Sequence, residues 1–198
     1  MDNLFEYVFL ALGWFIFYAL HSFMASSKLK RILEGKLGSR MKWYRIFYST
    51  FSTLLISVVF YLALQVSSFR ILSPSDLLTY LGYMSAAFGT IILVKSSKAI
   101  SLSKFLGFAN SELKTDDLVT IGLYSKVRHP LYAGLLLIFM GYLFVSGTLS
   151  SGVHFLCLVI YLPFGIYFEE QNLIDLYGEK YIRYRERVPS IIPKFKKK

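Results

Sequence analysis

Charged residues interrupt this chain in few places, and apolar runs of membrane length lie between them. Tyr7 to Met24, Ile46 to Phe69 and Leu77 to Val94 contain no Asp, Glu, Lys or Arg over 18, 24 and 18 residues, each near the roughly 20 that a helix needs to cross hydrocarbon. A fourth run, Leu131 to Phe168, stays uncharged for 38 residues. At ~1.5 Å per residue it would reach about 57 Å, close to twice the ~30 Å bilayer core, so it must fold back. Ser146-Gly147-Thr148-Leu149-Ser150-Ser151-Gly152 lies at its middle and supplies turn residues. The pattern predicts five spans, about 4–24, 46–69, 77–95, 131–147 and 151–168, the last two a tight helical hairpin. Beyond Glu169 the period changes. Leu173, Tyr177, Tyr181, Tyr184 and Val188 recur at three and four with charges between them, which predicts an amphipathic helix at the membrane interface. The predicted fold class is all-α: a polytopic integral membrane protein, with 1–198 as a single membrane domain.

Composition agrees. Hydrophobic residues make up 55%, aromatics 18% and charged residues 17%, against roughly 25% charged in soluble domains. A disordered chain, a coiled coil and an ordinary soluble domain are thereby excluded. One cysteine, Cys157, leaves no internal disulfide, and His21, His129 and His154 lack metal-site spacing, so no metal is expected. The first run follows Asp2 and Glu6 rather than a basic region and reads as a span, not a signal peptide.

Charge then orients the spans. Of the 22 Lys and Arg, 7 fall between Lys28 and Arg45, 6 between Lys95 and Arg128, and 8 from Lys180 to Lys198. Five spans put those segments on one face, so the positive-inside rule predicts an outer N-terminus and a cytoplasmic C-terminus and active site. Because the basic residues flank spans, the net charge of +10 points to lipid headgroups and not to nucleic acid. The bilayer is the expected partner, and no obligate protein partner is inferred. Residues 96–127, with the turn-like Lys114-Thr115-Asp116-Asp117, form the longest stretch between spans; chemistry is expected between this segment and the tail.

Arg128-His129-Pro130 stands directly before the hairpin, with Pro130 suited to the first helical position. A helix N-terminus favours anions, so Arg128 and His129 read either as a carboxylate or phosphate seat or as a headgroup anchor and a cap. Tyr132 adds a hydroxyl to the first turns, and Gly134 permits either ligand access or close helix packing. Glu169-Glu170 closes the hairpin at the same face, where the negative end of a terminating helix would disfavour it. Adjacent helical positions diverge by ~100°, so one carboxylate can face inward and meet a cation. Pro163 removes one backbone bond from that helix and is a candidate kink. Together the two corners suit a ligand carrying a carboxylate, a fixed positive charge and an aromatic base, as S-adenosylmethionine does. His21, an ionisable group near the cytoplasmic end of its span, is either a functional group or a helix-to-helix hydrogen-bonding one.

Gly122-Leu123-Tyr124, Arg128-His129-Pro130-Leu131-Tyr132-Ala133-Gly134, Glu169-Glu170, Tyr177-Gly178-Glu179-Lys180-Tyr181 and Tyr184 to Pro189 follow one another in an order that resembles the isoprenylcysteine carboxyl methyltransferase superfamily. That superfamily of membrane methyltransferases includes phospholipid N-methyltransferases and methanethiol S-methyltransferases. The likeness covers roughly 112–193, while His21-Ser22 and Ala25-Ser26 look closer to the thiol methyltransferase and NnrU-like branches. It implies an S-adenosylmethionine-dependent methyltransferase acting on a lipophilic or membrane-delivered acceptor: the carboxylate of a prenylated cysteine-like group, a thiol or a phospholipid amine. It further implies that Tyr124, Val127, Arg128, His129, Leu131, Tyr132, Gly134, Glu169, Glu170, Tyr181 and Tyr184 line the cofactor. Arg183 and Arg187 would steer an anionic acceptor, and Glu170 would take a proton from an amine. Sterol reductases share a similar C-terminal pattern, so an NADPH-dependent membrane reductase is one alternative, and a noncatalytic NnrU-like membrane protein is another.

Overall fold

The computed structural model describes residues 2–67, 69–99 and 118–193. The expected Lys114–Asp117 turn lies outside the described residues. Seven α-helices are described: α1 (Asp2–Ala25), α2 (Ser27–Leu37), α3 (Met41–Gln65), α4 (Asp76–Ala99), α5 (Pro130–Ser146), α6 (Leu149–Tyr177) and α7 (Glu179–Arg187). No strand occurs among the described residues, apart from one bridge between Arg70 and Thr148. Four stretches are long and apolar enough to cross a membrane, one of them containing α2 and α3, and the 17-residue α5 is a shorter apolar helix. The all-α membrane fold read from the hydropathy is therefore the observed one.

The helices pack in the order α3, α1, α6, α5, α4. The α1–α3 core is Leu10, Trp14 and Val59. Trp14 Nε1 donates to His154 Nδ1 on α6 over 2.7 Å, giving two buried polar atoms the partner that hydrocarbon would deny them. Phe5, Phe9, Phe15, Leu64 and Met84 face outward, the distribution expected of a molecule whose solvent is lipid.

The tightest contact joins α4 and α5. Gly82 and Gly89 on one helix meet Gly141 and Gly134 on the other, and a Cβ on Gly89 would lie 2.6 Å from the Gly134 carbonyl oxygen. Two glycine pairs seven residues apart let the backbones approach, which drives association where the hydrophobic effect does not. Ser85 Oγ adds a 2.8 Å hydrogen bond to the Leu137 carbonyl across the same face.

The hairpin turn is shorter than its sequence suggested. Gly147 adopts φ +62° to end α5, and Thr148 at once caps α6 in a reciprocal box with Ser151. At that end the 69–72 backbone pairs with Gly147 and Leu149. At the other end α6 runs through Glu169 and Glu170 to Tyr177 as one 29-residue helix, about 43 Å long and able to project beyond the bilayer core. The carboxylate pair therefore sits inside a continuing helix, and the terminal dipole penalty does not apply. Gly178, at φ +54°, breaks the tail into α6 and the nine-residue α7. The basic 27–37 stretch is helix α2, with Ser26 Oγ capping Leu29 N–H at its start.

Candidate functional site

Pro130 starts α5 at its first position with His129 as the preceding cap, and this fixes where Arg128 and His129 project. The tail holds them from behind: Arg128 N–H donates to the Pro189 carbonyl over 2.8 Å and His129 N–H to the Ser190 carbonyl over 3.0 Å. The two corners read from the sequence are one ionic cluster. Arg128 donates to Glu170 Oε1 from Nε over 2.9 Å and from Nη2 over 2.6 Å, and His129 Nε2 lies 3.1 Å from the same oxygen. Arg128 Nη1 donates to the Arg185 carbonyl over 3.0 Å and to the Val188 carbonyl. Opposite charges delivered to an apolar boundary lower their desolvation cost by pairing at hydrogen-bond distance.

Arg128, which reads from the sequence either as part of an anion seat or as a headgroup anchor, is engaged by the protein itself. Its guanidinium clasps α6 and the tail to the start of α5. Glu170 is the inward carboxylate of the pair, with its side chain 11% exposed, whereas Glu169 is 46% exposed and places Oε2 3.5 Å from His129 Nδ1. Burial alone would pull the His129 imidazole down, but Glu169 and Glu170 outweigh it, and the ring holds its proton to higher pH than an ordinary histidine.

Tyrosines surround the cluster. Tyr184 donates its hydroxyl to the Tyr124 carbonyl over 2.6 Å, and burial pushes its pKa up to about 12 against the pull of Arg128. Burial and then the nearby carboxylates push Tyr124 and Tyr181 up as well. The hydroxyls of Tyr124 and Tyr181 and Ser190 Oγ are buried without a hydrogen-bond partner among the described residues. Tyr132 stacks on His129 with ring centroids 5.7 Å apart, and its hydroxyl neighbours Glu169, Tyr161 and Tyr48. Val127 is buried beside this corner and Leu131 is half-buried.

Three expected residues stand elsewhere. Gly134 faces α4, where its missing side chain admits the Gly89 backbone, so it serves packing and not ligand access. Arg183 and Arg187 are exposed, and Arg187 Nε donates to the Arg183 carbonyl along α7. The arginine of α7 that approaches the cluster is Arg185, whose Nη1 lies 3.7 Å from Glu170 Oε2; sequence reasoning missed it because the break at Gly178 resets the helical phase. Among the described residues no group of His, Cys, Asp and Glu could hold a metal ion.

A carboxylate facing partly outward, an imidazole held between two carboxylates and buried hydroxyls lacking partners make an arrangement that can grip a small zwitterionic, partly aromatic ligand. These residues fit S-adenosylmethionine: Glu169 would meet its sulfonium, and the Tyr124, Tyr181 and Ser190 hydroxyls would supply hydrogen bonds to its polar ends.

Residues 9–189 match the NnrU protein family, and the chain belongs to it. A methanethiol S-methyltransferase of Crocosphaera subtropica is 29% identical over 194 residues, covering 92% of this chain and 73% of that protein. A protein-S-isoprenylcysteine O-methyltransferase of Schizosaccharomyces pombe is 27% identical over 205 residues, covering 91% and 86%. Methanethiol S-methyltransferase 1 of Bradyrhizobium diazoefficiens is 38% identical over 73 residues, covering 36% and 24%. The resemblance to the isoprenylcysteine carboxyl methyltransferase superfamily stands on these similarities. No solved structure matches the chain.

Proposed function

We propose that this NnrU-family chain is an integral membrane methyltransferase that uses S-adenosylmethionine and acts on a lipophilic or membrane-delivered acceptor. The observation that carries the reading is the Arg128–Glu170–His129 cluster, which joins both ends of the α5–α6 hairpin beside the partly exposed Glu169 and three buried hydroxyls. Relatives named as S- and O-methyltransferases support the reaction class. Bound S-adenosylmethionine would supply an electrophilic methyl on a sulfonium. The chain's residues would hold it in line with the acceptor and exclude water, and orientation of this kind contributes roughly 7–11 kcal/mol. Glu169 and His129 would hold the charged portion, Tyr124, Tyr181 and Ser190 would orient the polar ends, and Arg128 with Glu170 would keep the three backbone segments in register. The 7, 6 and 8 basic residues of the three flanking segments favour placing this end of the bundle in the cytoplasm and the N-terminus outside.

Titration calorimetry of the detergent-purified protein with S-adenosylhomocysteine tests the reading. Saturable binding is expected, weakened at least about tenfold (~1.4 kcal/mol) by Glu169→Gln. No binding refutes it, and binding of NADPH in its place would favour a membrane reductase.

A further inference from the structure

Helix α2 carries a surface that the ionic cluster does not use, and its residues are sorted by chemistry. Leu29, Lys30, Leu33 and Leu37 are half-buried, whereas Lys28, Arg31, Ile32 and Lys36 are exposed. At ~100° per residue the exposed set shares one face about 140° wide. Glu34, the only acid of α2, falls outside that face. Beyond Gly38 the exposed Arg40, Lys42 and Trp43 follow, with Lys42 Nζ 5.8 Å from the centre of the Trp43 ring. Tryptophan and long cationic side chains together are the anchors of the membrane–water boundary.

Contacts with α6 set the depth of this face. Asn172 Oδ1 accepts from Ser27 N–H over 3.1 Å, and Arg31 Nη2 donates to Asp175 Oδ2 over 2.6 Å with both side chains exposed. Counted from Leu149 at ~1.5 Å per residue, Asn172 and Asp175 lie roughly 34 and 39 Å along α6, just past the ~30 Å of hydrocarbon. Helix α2 therefore lies at headgroup depth, at the same end of the bundle as Glu169 and Glu170. Between α2 and α6 opens a cavity of about 410 Å³ lined by Lys28, Arg31, Ile32 and Asp175. Two cations against one carboxylate leave it net positive, and Lys36 on the same face adds to that charge. The Arg31 guanidinium has five N–H donors, of which one is directed at Asp175. The anion that this depth offers is a lipid phosphodiester.

We propose that the α2–α6 groove is a binding site for the headgroup of an anionic glycerophospholipid, with Lys28 and Arg31 on the phosphodiester and Ile32 against the glycerol and first methylenes. Basic residues orient spans wherever they lie within a flanking segment. A groove that joins two cations to an apolar side chain does more, because it discriminates between headgroups. The ammonium of a zwitterionic lipid would meet a net positive site and be repelled, whereas an anionic lipid brings no such charge. A soluble phosphate would make no use of Ile32. The site is independent of the reaction assigned to the ionic cluster.

The test places a fluorescent reporter in the groove of the full-length chain by Ile32→Trp combined with Trp43→Phe. Trp43→Phe alone gives the background from Trp14, which is buried. Each protein is reconstituted in nanodiscs holding one chain, with brominated phosphatidylglycerol or brominated phosphatidylcholine as the quencher. At about 0.15 M salt phosphatidylglycerol is expected to occupy the groove at least about threefold more strongly than phosphatidylcholine, and the preference should shrink at about 1 M salt. Lys28→Gln with Arg31→Gln in the reporter protein should abolish the preference. Lys98→Gln on α4, at the other end of the helix row, should leave it unchanged. All of these positions are exposed, and matching circular dichroism confirms the fold of each variant. Equal quenching by the two lipids, a preference that survives the double substitution, or its loss in Lys98→Gln overturns the assignment. Relief of the phosphatidylglycerol quenching by glycerol 3-phosphate would make the ligand a soluble phosphate and overturns it too. A preference present in proteoliposomes and absent from single-chain nanodiscs would give the face to a second copy, with the same result.

Discussion

Replacing Glu170 by alanine removes the acceptor on which three hydrogen-bond donors converge. Oε1 receives Arg128 Nε at 2.9 Å and Nη2 at 2.6 Å, with His129 Nε2 at 3.1 Å, and the Arg128 and Glu170 side chains are each only 11% exposed. In Glu170→Ala the guanidinium keeps the Arg185 and Val188 carbonyls but loses its only charged partner among the described residues. Removing one member of a buried ion pair costs about 3–5 kcal/mol, most of it from the charge left behind. Glu170→Gln keeps an acceptor without the charge and should cost less, about 1–3 kcal/mol. Arg128→Leu combined with Glu170→Leu removes both charges and should recover part of the loss, with a coupling of roughly 1–3 kcal/mol between the two sites. Reversible unfolding of the detergent-solubilised protein, followed by near-ultraviolet circular dichroism, measures the wild-type protein, these three variants and the two single leucine variants that close the cycle. If Glu170→Ala unfolds with the wild-type midpoint, or if the two leucine substitutions are additive within about 0.5 kcal/mol, the clasp does not hold α5, α6 and the tail together.

The remaining predictions follow from the same geometry. The His129 imidazole is raised above its unfolded value by Glu169 and Glu170 despite burial, so its stabilising charge is fully present below the ordinary imidazole range and is lost as pH rises through the elevated value. Thermal midpoints should therefore fall as pH rises above the ordinary imidazole range, and Glu169→Gln should move that fall to lower pH; a midpoint flat there would refute the coupling. Gly89→Val should force α4 and α5 apart, because even a Cβ would meet the Gly134 carbonyl oxygen at 2.6 Å and Leu137 Cβ at 2.9 Å. The cost is at least about 1–3 kcal/mol, read as a lowered unfolding midpoint, whereas Gly35→Ala, at an α2 position with open space, should not lower the midpoint.

Hydropathy alone determined the membrane architecture, because burial in lipid depends on the length and apolarity of each run and not on its neighbours. Arg128-His129-Pro130 and Glu169-Glu170 were legible for the same local reason: charges beside long uncharged runs must lie at a boundary, and a folded-back run must return both boundaries to one face. Tertiary structure decided how those groups were spent. Pairing distance is set by helices that touch, so the capture of Arg128 by Glu170 and the approach of Arg185 could not be read from spacing. Gly134 had two readings until its opposite helix was known, although Gly82, Gly89, Gly134 and Gly141 carried a seven-residue signal in each of two spans. His21 shows the same division. Its chemistry is written in one residue, but its partners Ser52 and Tyr48 lie on another span, and only packing brings them to the imidazole.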